Sequence, residues 1–111
     1  MARPRWCEDS QSYEQYCHVY VIGPEGGPYK IGIAVDVAVR LIDLQIGNHL
    51  ELKVLASVKV PGSAQRARSI EEQMHWAFWK RRVRGEWFDI PLAEAEAHLQ
   101  RLTAPKEEIA A

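Results

Sequence analysis

The spacing of apolar positions changes several times along the chain, and each change marks an element. Residues 18–22, HVYVI, form a continuous β-branched and aromatic run that predicts a strand, and the turn-rich GPEGGP behind it ends that strand. YKIGIAV, residues 29–35, is a second such run, so the pair predicts a hairpin with a loop of about six residues. Asp36 stands where a helix N-cap belongs, followed by Val37, Leu41 and Leu44 at helical spacing, with Gly47-Asn48 as the stop. LELKVLASVKV, residues 50–60, alternates and predicts a third strand closed by Pro61-Gly62-Ser63. From about 65 to 80 a second helix is predicted, with Ile70, Met74 and Phe78 four apart on its core face. Glu71 and His75 form the adjacent row. GEWFDIP, residues 85–91, predicts a short strand, and Pro91 to Leu102 a closing helix with Leu92, Leu99 and Leu102 apolar. Trp76, Trp79, Trp87 and Phe88 are assigned to packing over the sheet. Residues 1–16 lack a period and read as a loose arm, and 104–111 as a frayed tail, which leaves one domain over 17–103.

Composition agrees with one small core. The chain has 111 residues, 47% hydrophobic and 26% charged, which is ordinary for a single domain. No segment approaches the ~18 continuous apolar residues of a membrane span, and MARPRWCEDS has no apolar run behind its charges. Cys7 and Cys17 fit neither a zinc ribbon nor a CxxC motif, and His18 beside Cys17 lacks further ligands at metal spacing. A reducing, cytoplasmic setting is expected, with no membrane partner.

The net charge of −1 announces no nucleic-acid binder, but its distribution is uneven. Arg66, Arg68, Lys80, Arg81, Arg82 and Arg84 outnumber Glu71, Glu72 and Glu86 over residues 65–86, while 87–111 is net acidic. Such a stripe can contact phosphates, or it can be a solvated helix face. Taken singly, Tyr20 is an ordinary core aromatic, Lys30 an exposed strand residue and Arg40 and Glu71 ordinary helix charges.

Taken jointly they carry a resemblance. The order "VYVI", "YKIG", an arginine ten residues after the lysine, "IEEQMH" and "RVRGEWF" resembles the GIY-YIG endonuclease superfamily, most closely its small phage-associated branch with KIG and GEWF signatures. It covers about residues 18–90. The fold it implies is α/β in the α+β sense, a small central three-stranded, mainly antiparallel sheet flanked by helices. Tyr20 matches the tyrosine of the first strand, which handles or positions the attacking water. A phenol that ordinarily ionises near pH ~10 can take that proton only beside a cation. Lys30 stands where the family has its second tyrosine, with Tyr29 just before it, and a desolvated amine there could accept the water's proton. Arg40 matches the arginine that holds the scissile phosphate, and Glu71 the carboxylate that holds one Mg²⁺ or Mn²⁺. His75, one turn beyond Glu71, would orient it or contact the phosphate. Gly32 would allow close approach of chain or DNA, and Tyr29, Arg66, Arg68, Arg82 and Arg84 would contact substrate. Gly85-Glu86 reads as a turn only.

The resemblance implies a metal-dependent DNA endonuclease, with RNA as the other nucleic-acid substrate it leaves open. A homodimer would supply the second strand's cut, and sequence specificity would come from the chain's own loops or from a separate partner. The alternative class keeps the fold and the basic stripe as a DNA-binding or partner-recruiting module without turnover. A pure protein-interaction domain would need exposed apolar surface.

Overall fold

The computed structural model describes residues 17–61 and 64–104. The opening apolar run becomes β1 (Cys17–Gly23), and its lack of alternation has a physical cause. The strand lies inside the sheet with elements on both faces, so every residue but His18 is buried. A turn through Gly26 and Gly27, both at positive φ, leads into β2 (Tyr29–Ala34). The two strands pair antiparallel, with Tyr20 opposite Gly32 and Ile22 opposite Lys30. β3 (Lys53–Val60) pairs the other side of β1, also antiparallel, with a bulge beside Val21 and Ile22. As an edge strand it is largely exposed or half-buried, which is why its sequence alternates.

The α+β class is as expected, but the sheet has five strands rather than three, in the order β3-β1-β2-β5-β4. The extra pair is a small hairpin, β4 (Arg82–Arg84) and β5 (Trp87–Phe88), where one strand over 85–91 was expected. Three residues of RVR are too few and too charged to show a strand period. Gly85, at φ 56°, makes the turn between them.

The helices follow their stripes. α1 (Val37–Gln45) begins at Asp36, whose side chain accepts from the Val39 N–H at 3.1 Å. α2 (Ala64–Ala77) stops three residues short of the expected end, and the chain tightens into a 3₁₀ turn at Trp79–Arg81. α3 (Leu92–Thr103) closes the domain. On one side of the sheet Val19, Val21, Ile31 and Phe88 pack with Ile70, Met74 and Phe78 beneath α2 and with Ala95 and Leu99 of α3. On the other side Tyr20, Ile22, Ala34 and Leu52 lie under Val37, Leu41 and Leu44 of α1, with Trp87 beside them. Each fully buried Met74 or Phe88 stabilises the fold by about 1.5–3 kcal/mol relative to leaving it in water.

The tryptophans divide. Trp87 is half-buried and lies against the α1-side core, with Phe88 fully buried on the other face, as expected of packing residues. Trp76 and Trp79 are not: they are 78% and 53% exposed. The reason is helical phase, because Trp76 stands two residues from Met74 and therefore points about 200° away from the buried stripe. The expected arm at 1–16 and tail at 104–111 lie outside the described residues, apart from Ala104. None of the described helices is long and apolar enough to cross a membrane.

Candidate active site

The site is built on the edge of β2 that faces β5. Pairing with β5 covers Tyr29 and Lys30, and the Ile31 N–H still reaches the Glu86 carbonyl at 3.1 Å. Beyond that point β2 has no strand on this side among the described residues. Side chains take the next carbonyls instead. His75 Nε2 lies 2.8 Å from the Ile31 oxygen, and Arg40 donates to the Ile33 oxygen at 3.3 Å. Leaving such carbonyls unpaired is costly, so this edge fixes one side chain from α2 and one from α1 at neighbouring places.

Arg40 has a second partner. The same guanidinium nitrogen donates to the Tyr20 hydroxyl at 3.3 Å. Tyr20 reaches it by lying across β2 over Gly32, where a Cβ would stand 2.5 Å from the hydroxyl and 2.8 Å from ring carbon Cζ. The close approach at Gly32 is therefore made by the protein's own tyrosine. Tyr20 itself is fully buried, so it acts on Arg40 from beneath.

The charged cluster lies beside this pair. Lys30, pointing to the same face of β2 as Gly32, donates to Glu86 Oε1 at 2.6 Å. Glu86 sits in the β4–β5 turn, which hangs it next to α2. Glu71, His75 and Glu86 each offer one ligand atom, and these atoms all lie within 4.8 Å of one another. Glu71 is nearly buried, and His75 Nε2 is 4.0 Å from its carboxylate. Burial pushes the Glu71 carboxyl above its ordinary range, the Glu86 charge pushes it further, and His75, Lys30 and Arg68 pull it back. Two carboxylates held this close, one of them desolvated, repel each other, and a divalent cation between them relieves both terms.

The donor set fits a hard cation. Such cations take carboxylate oxygens at ~2.1 Å, and Glu71 and Glu86 bring two carboxylates into one cluster. His75 is less suited to ligation, because its Nε2 is engaged with Ile31. Its ring also packs against Phe88, 5.1 Å between centroids.

Tyr20, Lys30, Arg40, Glu71 and His75 thus converge from β1, β2, α1 and α2. Tyr29, expected to contact substrate, is buried in the α2-side core, one residue out of phase with Lys30. Arg66 and Arg68 are exposed at the start of α2 and Arg82 and Arg84 on β4, near opposite ends of a helix about 20 Å long, so they form no single patch. Arg68 is near enough for its charge to act on Glu71. Glu86 was missed because its placement depends on a hairpin too short to leave a sequence period.

A family model described as the T5orf172 domain matches residues 10–103. No curated protein and no solved structure matches the chain.

Proposed function

The chain belongs to the T5orf172 domain family, and from that premise we propose that it is a metal-dependent endonuclease of GIY-YIG type that hydrolyses phosphodiester bonds in DNA. The family is phage-associated and linked to nuclease-like or DNA-binding roles. The observation that carries the reading is the meeting of Glu71, His75 and Glu86 within 4.8 Å, beside Lys30 and on the same strand edge as Arg40.

Glu71, with Glu86 as the second carboxylate in reach, would hold one Mg²⁺ or Mn²⁺. Such an ion polarises the phosphate and acidifies a bound water. The rest of the chemistry belongs to the side chains. Arg40, held by Tyr20 and the Ile33 carbonyl, presents a guanidinium that offsets charge as the phosphate gains its fifth oxygen. Tyr20 positions that arginine. Lys30, paired with Glu86 Oε1 at 2.6 Å, keeps that carboxylate in place beside Glu71. A monomer has one such cluster and cuts one strand at a time, so a double-strand break needs a second copy or a partner.

A second reading, a DNA-binding module without turnover, is favoured by one feature. Lys30 is already engaged by Glu86 and is not a free amine. Single-turnover cleavage of an end-labelled DNA duplex in Mn²⁺ separates the two. The nuclease reading expects cleavage that falls about 10²–10³-fold in Arg40→Ala. Binding of that duplex without cleavage by the wild type selects the module.

A further inference from the structure

Trp79 is the next residue after Glu71 and His75 in a row spaced four apart. It lies one helical turn beyond His75, about 6 Å further along. There α2 has given way to the 3₁₀ turn, and the indole is 53% exposed. The Arg82 guanidinium rests over it, 4.9 Å from the ring centroid, and the Gly85 carbonyl accepts from the same Arg82 at 3.3 Å. Trp76, 78% exposed, lines the same groove of about 590 Å³ with Trp79, Lys80 and Arg81. Arg81 is paired with Glu94 at 2.5 Å, which leaves Lys80, Arg82 and Arg84 without an acidic partner among the described residues.

We propose that Trp79, backed by Arg82 and flanked by Trp76 and Lys80, is a stacking platform for an unpaired base of a single-stranded DNA segment next to the cleavage cluster. A large apolar ring held in water costs free energy, and both indoles keep more than half of their surface exposed, Arg82 being the cation stacked on Trp79. A base in a duplex hides its face against its neighbours, whereas an unpaired base offers that face to an indole. The surrounding cations suit the phosphates that join such bases, and a guanidinium stacked on the indole fixes the ring's orientation. A plain basic helix face would not need two exposed indoles. This deepens the nuclease reading and rests on it for where the cut falls: the substrate is DNA with an unpaired stretch, as at a flap, a branch or a frayed end.

The test reads binding alone, in chelator and at low salt, by fluorescence anisotropy of a labelled oligodeoxythymidine of about 15 nucleotides and of a duplex of equal length. Wild type, Trp79→Ala, Trp79→Phe and Trp76→Ala are compared after their melting curves show that each is folded. The expected result is a loss of single-strand affinity of about tenfold or more in Trp79→Ala, a smaller loss in Trp76→Ala, little change for the duplex and recovery in Trp79→Phe. Unchanged single-strand affinity in Trp79→Ala, or equal loss for both DNAs, overturns the proposal. Displacement of the oligonucleotide by polyglutamate at equal concentration also overturns it and makes the groove a site for an acidic protein. Because no cation is present, this outcome is independent of nuclease activity: a chain that never cuts DNA can pass, and one that cuts can fail.

Discussion

Lys30 and Glu86 stand 56 positions apart in the chain, and their charged groups meet at 2.6 Å. The contact ties β2 to the turn of the last hairpin and sets a carboxylate beside Glu71. The Lys30 side chain is 14% exposed and that of Glu86 42%, so solvent screens part of the attraction. A double-mutant cycle with Lys30→Met and Glu86→Gln, read by urea unfolding, is expected to give a coupling of about 0.5–1 kcal/mol that shrinks in 1 M salt, on the order expected for a partly exposed pair.

Gly32 is a place where the fold leaves no room for a side chain. Its absent Cβ would be 2.5 Å from the Tyr20 hydroxyl. Gly32→Ala is expected to destabilise the fold by about 1–3 kcal/mol through overpacking, as measured by denaturant midpoint. Adding Tyr20→Phe removes the oxygen but leaves ring carbon Cζ 2.8 Å from the new methyl, so the double variant is expected to recover little.

Tyr20→Phe alone keeps the ring and loses the oxygen that accepts from Arg40. Arg40 retains the Ile33 carbonyl. The stability cost is expected to be about 0.5–1.5 kcal/mol, the net value of one hydrogen bond. Cleavage should fall through Arg40 rather than through loss of a base: the pH profile of the remaining activity keeps its shape while the rate drops. A profile that loses a limb would make Tyr20 a proton acceptor.

The Glu71 carboxyl is raised above its ordinary value of 4.5 by burial and then by Glu86. The folded state therefore holds that proton more tightly than the unfolded chain does. In chelator, the contribution of this group to stability is full below the ordinary glutamate range and falls as pH rises through the raised folded value. Glu71→Gln, uncharged throughout, is expected to be more stable than wild type at neutral pH, with the difference closing towards pH ~4. Urea midpoints across that range check it. For the cation proposed at Glu71, the same shift would make binding weaken at a higher pH than an ordinary glutamate would, because the ligand must lose its proton first.

Much of this arrangement was legible in the sequence, and the reasons are specific. β1 and β2 announce themselves because most of their residues are buried on both faces, which leaves only His18 and Lys30 as polar breaks in the two apolar runs. Asp36 marks the start of α1 because an N-cap carries its own chemistry, and Glu71 and His75 share a helix row that four-residue spacing reveals. Glu86 was not legible: its role depends on β5 pairing with β2, and a two-residue strand has no period to read. Trp76 and Trp79 were misread because aromatic content suggests a core, while the phase set by Ile70, Met74 and Phe78 turns Trp76 outward and the end of α2 leaves Trp79 uncovered. Tyr29 shows the strand version of the same rule, where one step along β2 exchanges the site face for the core.

The proposed role of Glu71 as anchor of a metal-dependent phosphodiesterase centre is tested by nicking of supercoiled plasmid at low salt with Mg²⁺ or Mn²⁺, by wild type and Glu71→Gln purified side by side, with a chelator arm. Wild type is expected to convert supercoiled to open-circular plasmid, and both the substitution and the chelator to abolish the conversion. Equal nicking by the two proteins, or none by a wild type that still binds the plasmid, would contradict it.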